Sequence, residues 1–230
     1  VIPPTLVIFD LDGTLVDSRP DLAASVNHVR GLFGLPPLDL DTIAGMIGDG
    51  AEMLVRRALG DGCDPAGVRR GLDAFLAYYR EHMLDESQLY PGVEETLDRL
   101  ATARLAVLTN KPWRFSCLML QGLGIYDRFE AVYGGNSFSE KKPHPVGVHQ
   151  ILADTGANPL AAWMVGDSGV DVLTGRNAGI RTCGVTYGYA PNTFDRHPPD
   201  VRIDRFGELV RVIGREQPGE ITPSGRGSGE

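Results

Sequence analysis

Residues Thr5–Ser18 read TLVIFDLDGTLVDS. The apolar run Leu6–Phe9 stops abruptly at Asp10, a second carboxylate follows at Asp12, and Gly13-Thr14 turn the chain away. A short apolar run bounded by turn residues predicts a strand buried in a parallel sheet. Asp10 then stands at the carboxyl end of that strand, where open α/β sheets collect their ligands. Two carboxylates so close together repel each other. They become useful when a hard divalent cation lies between them or when one of them keeps a proton. The plain alternative is a strand followed by a solvated Asp-rich turn. A calcium loop of the EF-hand type asks for an acidic or amide residue at its fifth position, Gly at its sixth and an acidic residue at its twelfth. Here those places hold Thr14, Leu15 and Asp21, so only the last fits.

Downstream, the strand-like pattern vanishes and helical periodicity takes over. Leu22, Val26, Val29 and Phe33 form one stripe; Ala51, Leu54, Val55, Ala58 and Leu59 a second; Val68, Leu72, Phe75, Leu76 and Tyr79 a third. Leu35-Pro36-Pro37 and the stretch 60–65 punctuate them as loops. An all-helical insert over residues 17–87 is therefore expected within an α/β chain. From Tyr90-Pro91-Gly92 helices and strands alternate, with strands expected at 105–108, 131–133, 163–165, 183–186 and 201–203. This alternation predicts βαβ units and a Rossmann-like parallel sheet. The expected division is a core of residues 1–16 and 88–213, a helical cap of 17–87, and a Gly, Pro, Ser and Glu-rich tail of 214–230 that is expected to be disordered.

The chain has 230 residues with 42% hydrophobic content, enough for one good core and a smaller appended unit. Its net charge of −8 is the opposite of a nucleic-acid footprint. An acidic protein that handles an anion must neutralise it locally, with a metal, a lysine or helix amino ends. Cys63, Cys117 and Cys183 are odd in number and widely spaced, which argues against a disulfide framework and against zinc. No run approaches the length of a membrane span and no signal-like core opens the sequence, so a cytoplasmic location is expected, with no membrane or nucleic-acid partner.

Three further expected strand ends carry polar groups. Thr109-Asn110-Lys111 offers a hydroxyl, an amide and a cation. The stretch Lys141-Lys142-Pro143-His144-Pro145 places lysines before a Pro-rich helix entry, and Gly166-Asp167-Ser168-Gly169-Val170-Asp171 adds two carboxylates. Singly, each reads equally well as a turn, a charged loop or a helix cap. GDSG also invites a serine-protease reading. That reading fails, because no GxSxG elbow occurs and a parallel α/β pattern does not suit the β-barrel.

Together and in this order, the four motifs resemble the signature of haloacid dehalogenase-like phosphohydrolases, over residues 5–213. The resemblance implies that Asp10 is the nucleophile, forming a phosphoaspartyl intermediate, and that Asp12 is the acid/base. It implies that Thr109, with Asn110 assisting, and Lys142 hold the phosphoryl group. It also implies Mg²⁺ bound by Asp10, Asp167 and the Asp12 main-chain carbonyl, with Asp171 supporting Lys142 or metal-bound water. Dehalogenases of this fold lack the second Asp, so Asp12 favours phosphoryl transfer. The helical-cap mutases carry an acidic residue where this chain has Gly166.

In this superfamily the insert is a cap that closes over the site and reads the leaving group. Gly48 and Gly50 precede a strong helical pattern, where bare amides could face a small anion, although Asp49 between them opposes one unless it points away. GDGA before LVRRAL, with DGTLVDSRPDLAASVN ahead and AVLTNKP behind, resembles the bacterial phosphoglycolate phosphatase family. The expected substrate is then a small phosphorylated metabolite, 2-phosphoglycolate, cleaved to glycolate and phosphate. Pyrophosphate or sugar-phosphate hydrolysis and a sugar-phosphate mutase are the neighbouring alternatives. A binding module that kept the fold without catalysis is a different class, and would be expected to lack one of Asp10, Asp12, Lys142 or Asp167. The sequence leaves monomer and homodimer open.

Overall fold

A computed structural model of the chain describes residues 5–213. Eight strands occur among them: β1 (Leu6–Phe9), β2 (Val16–Asp17), β3 (Gln88–Leu89), β4 (Arg104–Leu108), β5 (Ala131–Tyr133), β6 (Ala162–Gly166), β7 (Arg181–Val185) and β8 (Val201–Ile203). The helices are α1 (Arg19–Leu32), α2 (Leu40–Ala44), α3 (Ala51–Leu59), α4 (Pro65–His82), α5 (Val93–Arg99), α6 (Trp113–Gly122), α7 (Val146–Thr155), α8 (Gly169–Asn177) and α9 (Leu209–Ile213). Six strands form one parallel sheet in the order β5-β4-β1-β6-β7-β8. This is a doubly wound, Rossmann-like sheet whose order reverses beside β1, the place where such folds form a crevice.

Register decides what meets at that crevice. Phe9 lies opposite Val107 on one side and Val165 on the other, so β1, β4 and β6 end level with one another. Leu6, Val7, Ile8 and Phe9 are all fully buried, as a strand covered on both faces requires. Each contributes roughly 1.5–3 kcal/mol by leaving water, which makes the strand ends a rigid platform. On one face Leu6, Ile8, Ala106 and Met164 pack against Val148, Ile151 and Ile180. On the other, the apolar cluster runs from Phe9, Val107 and Val165 through Leu11 and Leu15 into Val26, Leu54 and Phe75 of the inserted helices.

Helices α1 to α4 all fall between β2 and β3, and α1 packs against α2, α3 and α4. The sequence supplies their start signals. Pro65 follows the cap residue Asp64, whose side chain accepts from the Gly67 N–H, and Pro20 lies in the first turn of α1. Two features escape the periodicity: the five-residue α2, and the antiparallel ribbon in which Val16 pairs with Leu89 and Asp17 with Gln88. Elements of two and five residues are too short to display a period. The ribbon spans both crossings into and out of the helical segment. The expected disorder of 214–230 lies outside the described residues, and among those described no helix is long and apolar enough to cross a membrane.

Candidate active site

The main-chain N–H of Asp10 donates to the Val165 carbonyl at 2.9 Å, and that of Thr109 to the Tyr133 carbonyl at 3.0 Å. These bonds carry the sheet ladders one residue past the strands, so both side chains start from fixed backbone. The Asp10 side chain is 13% exposed and its Oδ1 lies 2.8 Å from Lys142 Nζ, as an ion pair without hydrogen-bonding alignment. Lys142 Nζ also donates to Asp171 Oδ1 at 2.6 Å. Asp171 Oδ2 in turn accepts from the Ser168 N–H at 3.1 Å and the Ser168 hydroxyl at 2.8 Å. The helix-cap reading of GDSGVD is therefore true of α8, and the same carboxylate also orients Lys142.

Oxygens of Asp10, Asp167 and Asp171 lie within 4.8 Å of one another. The charge balance of this cluster is unfavourable, because three carboxylates, two of them buried, face the single ammonium of Lys142, which pairs with Asp10 and Asp171. Burial, then the Asp171 charge acting against the pull of Lys142, raises the Asp10 carboxyl to about 6. Burial first, then Asp171 and Asp10, push Asp167 well above the usual carboxylate range. Burial alone would lower Lys142, yet Asp10 and Asp171 together hold its ammonium above the ordinary lysine value. An all-oxygen donor set with unneutralised negative charge suits a hard divalent cation. The Asp12 carboxylate is outside this cluster.

Two glycines make the packing feasible. Gly13 has φ +83°, and a Cβ there would run into the Asp167 carboxylate. A Cβ on Gly166 would collide with the Asp171 side chain. No acidic residue fits at position 166 while Asp171 holds Lys142, which sets the site apart from the mutase pattern.

Asp12 is held separately. Ser18 Oγ donates to Asp12 Oδ1 at 2.6 Å, and Lys111 Nζ donates to Oδ1 at 3.0 Å and Oδ2 at 3.1 Å. Ser18 occupies the cap position of α1 yet makes no capping bond with its side chain. Its hydroxyl is turned to Asp12 instead. Lys111 Nζ also donates to the Tyr79 hydroxyl of α4 at 2.6 Å. Tyr189, on the loop after β7, donates its N–H to Asp167 Oδ2 at 2.6 Å, while its hydroxyl accepts from the Ser18 N–H at 2.8 Å.

Asp10, Asp12, Tyr79, Lys111, Lys142, Asp167 and Tyr189 line one cavity of about 740 Å³, open mouth included, together with Thr109, Asn110, Gly48 and Gly50. Asn110 differs from the expectation of a phosphoryl ligand. Its Nδ2 donates to the Gly48 carbonyl at 2.9 Å and to the Lys142 carbonyl at 3.2 Å, and its Oδ1 accepts from the Lys142 N–H at 3.0 Å. The amide is used in full as a brace between the β4 loop, the Lys142 loop and the insert. Asp49 resolves favourably, since its carboxylate is paired with Arg57 and partly exposed, with no place in the cavity lining. Sequence reasoning gave no role to Lys111, Tyr79, Ser18 or Tyr189. The signals were faint: a lysine directly after Thr-Asn, and Tyr rather than Phe at buried positions, where a hydroxyl needs a partner.

A family profile described as haloacid dehalogenase-like hydrolase matches residues 7–185, and the chain belongs to that family. Within it, the chain is similar to proteins named phosphoglycolate phosphatase. The one from Colwellia psychrerythraea is 39% identical over 219 residues, covering 91% of this chain and 97% of its own. The one from Chromobacterium violaceum is 42% identical, covering 90% and 95%. A crystal structure described as a predicted phosphoglycolate phosphatase from Haemophilus somnus superposes with a TM-score of 0.86 at 35% identity, covering 90% of this chain and 97% of that one.

Proposed function

We propose that this chain is a Mg²⁺-dependent phosphatase that hydrolyses 2-phosphoglycolate to glycolate and phosphate. The single observation behind the mechanism is that Asp10 and Asp12 leave the end of the central strand together and are held by different lysines, Lys142 and Lys111. The separate holding suits two different tasks. The substrate is supported by the relatives' names.

Asp10 attacks phosphorus, the ester bond to glycolate breaks, and Asp12 gives its proton to the departing oxygen. Water then loses a proton to Asp12 and attacks the phosphoaspartate, which releases phosphate and restores Asp10. Little covalent work is asked of the protein in either step, and most of the barrier is met by positioning and charge neutralisation. Lys142 supplies one neutralising charge and fixes Asp10, Asp171 keeps Lys142 aimed, and the Thr109 hydroxyl donates to a phosphoryl oxygen. Mg²⁺, held by Asp10, Asp167 and the Asp12 main-chain carbonyl, would add the positive charge that the carboxylate cluster and a phosphate dianion both require. Residues 17–87 act as a cap domain over the core of residues 5–16 and 88–213, excluding water and shaping the leaving-group side.

The test is phosphate release with Mg²⁺ across 2-phosphoglycolate, pyrophosphate, sugar phosphates and an aryl phosphate. 2-Phosphoglycolate is expected to lead in kcat/KM by about tenfold or more. Asp10→Asn should lower kcat by about 10⁴-fold or more while the protein stays folded. A folded Asp10→Asn protein that keeps its turnover would remove the covalent mechanism.

A further inference from the structure

We propose that Lys111 is the specificity-determining residue that receives an anionic group on the leaving portion of the substrate, a carboxylate in the case of 2-phosphoglycolate. The inference rests on the phosphatase reading above and assigns the substrate class of the same site.

A phosphorylated carboxylic acid brings two separated negative centres into a cavity that already contains carboxylates. Among the described residues lining it, only Lys111 and Lys142 carry positive charge. Lys142 is already engaged by Asp10 and Asp171 at the phosphoryl end. The insert offers no second cation, since Leu22, Ile47, Leu54, Phe75 and Leu76 are its apolar contributions to the lining. Its Gly48 carbonyl is taken by Asn110. The remaining cation is Lys111, 6% exposed and in the cavity wall.

Its position is right for the second centre. Asp12 must reach the ester oxygen, and in 2-phosphoglycolate one methylene separates that oxygen from the carboxylate. Ordinary bond lengths then place the carboxylate oxygens roughly 3–4 Å from the ester oxygen. An ammonium 3.0 Å from the Asp12 carboxylate is therefore within hydrogen-bonding reach of a carboxylate one methylene away from the oxygen that Asp12 protonates. Tyr79 holds it there from the insert, by the 2.6 Å hydrogen bond and with the ammonium 4.6 Å from the ring centroid. A buried ammonium hydrogen-bonded to the Tyr79 hydroxyl keeps that partner when its carboxylate partner turns to the reacting oxygen. The competing account is that Lys111 only neutralises Asp12, in which case every substrate would depend on it equally.

The experiment compares 2-phosphoglycolate with ethyl phosphate, which lacks the carboxylate, in the unaltered chain and in Lys111→Met. The ratio of kcat/KM for the two esters is expected to fall at least about thirtyfold in the variant, chiefly through KM for 2-phosphoglycolate. Tyr79→Phe should lower the same ratio by a smaller factor. If Lys111→Met does not give a folded protein by circular dichroism, Lys111→Gln replaces it, since its amide can still donate to Asp12. An unchanged ratio, with both esters losing the same factor, would overturn the proposal and leave Lys111 as a positioning residue for Asp12. Phospholactate or 3-phosphoglycerate ahead of 2-phosphoglycolate, with that preference lost in the variant, would uphold Lys111 and displace only the glycolate reading. Should no ester be hydrolysed, calorimetric affinities of 2-phosphoglycolate and ethyl phosphate for both proteins still decide, and equal affinities for the unaltered protein would overturn the proposal.

Discussion

The cavity's two ends are built on opposite plans. At the phosphoryl end Asp10, Lys142 and Asp171 are 13%, 3% and 2% exposed, held at a strand end, in a loop and in the first turn of α8. At the other end the inserted helices contribute apolar side chains and glycine backbone but no charge. Buried charges need fixed partners, because an unpaired one costs several kcal/mol. Apolar walls need only shape. The chemistry is therefore lodged where the backbone is most rigid, and the part that can vary in shape is kept free of ionised groups. A change to the groups that hold the phosphoryl centre should appear mainly in kcat, and a change in the insert mainly in stability and selectivity, with Lys111 the sheet-side group that meets the insert and acts on selectivity.

The sharpest way to break this contrast is to loosen the insert without touching the cavity. Asp21, in the first turn of α1, is 2% exposed. Its carboxylate accepts from the Glu86 N–H at 3.0 Å, the Ser87 N–H at 2.9 Å and the Ser87 hydroxyl at 2.7 Å. It thus ties the start of the helical segment to its end, beside the β2–β3 ribbon. Hydrogen bonds to a charged group contribute about 1.5–3 kcal/mol, and their loss would leave buried donors unsatisfied. Asp21→Ala is expected to cost about 3 kcal/mol, read as a lower urea midpoint. At temperatures where the variant remains folded, KM should rise more than kcat falls. Loss of kcat alone would mean that the insert takes part in the chemistry itself.

The same contrast explains what was legible in the chain. Leu6–Phe9 stands in the structure at the residues its apolar run marked, since a doubly covered strand leaves an unbroken signal, and the half-buried edge strand Ala131–Tyr133 also stands where it was expected. Asp10, Lys142, Asp167 and Asp171 were legible because strand-end chemistry is local: each follows a recognisable strand or turn. Lys111 and Tyr79 were not, because their meeting spans 32 positions and depends on how α4 packs over the β4 loop. Ser18 was masked by its own plausibility as a helix cap. Tyr189 follows a short strand in a loop with no period at all. The local half of the site could be read, and the half made by packing could not.

A second, somewhat smaller effect sharpens the charged end. In the metal-free protein the Asp10 carboxyl is raised to about 6, from an ordinary value near 3.8. The folded state therefore holds this proton more tightly than the unfolded chain does. The associated stability is fully present below about pH 4 and is lost as pH rises through about 6. Two pKa units correspond to on the order of 2–3 kcal/mol, and the raised Asp167 acts in the same direction. Mg²⁺ should restore what deprotonation removes. The expected result is a Mg²⁺-induced rise in Tm that is small at pH 5 and grows to several degrees by pH 7. A shift that is flat across this range would mean that the cation binds away from Asp10 and Asp167.

The smallest expected effect concerns Tyr189, which touches both sides of the mechanism. Tyr189 reaches Asp167 through its backbone, and reaches Ser18, the hydroxyl donor to Asp12, through its phenol. Tyr189→Phe removes only the second link. The Ser18 N–H then loses its acceptor, the Val16 carbonyl loses the bond that the phenol donates at 3.3 Å, and the Ser18 hydroxyl loses a neighbour 3.1 Å away. One net hydrogen bond in a half-buried setting contributes about 0.5–1.5 kcal/mol. A stability loss of that size is expected by thermal denaturation, with Mg²⁺ affinity unchanged because the main-chain bond to Asp167 survives. Turnover should fall only a fewfold, since Lys111 still holds both Asp12 oxygens. A large fall in Mg²⁺ affinity would show instead that the two carboxylates are coupled through the Tyr189 ring, and that the cavity's acid/base and metal-side groups are not held separately.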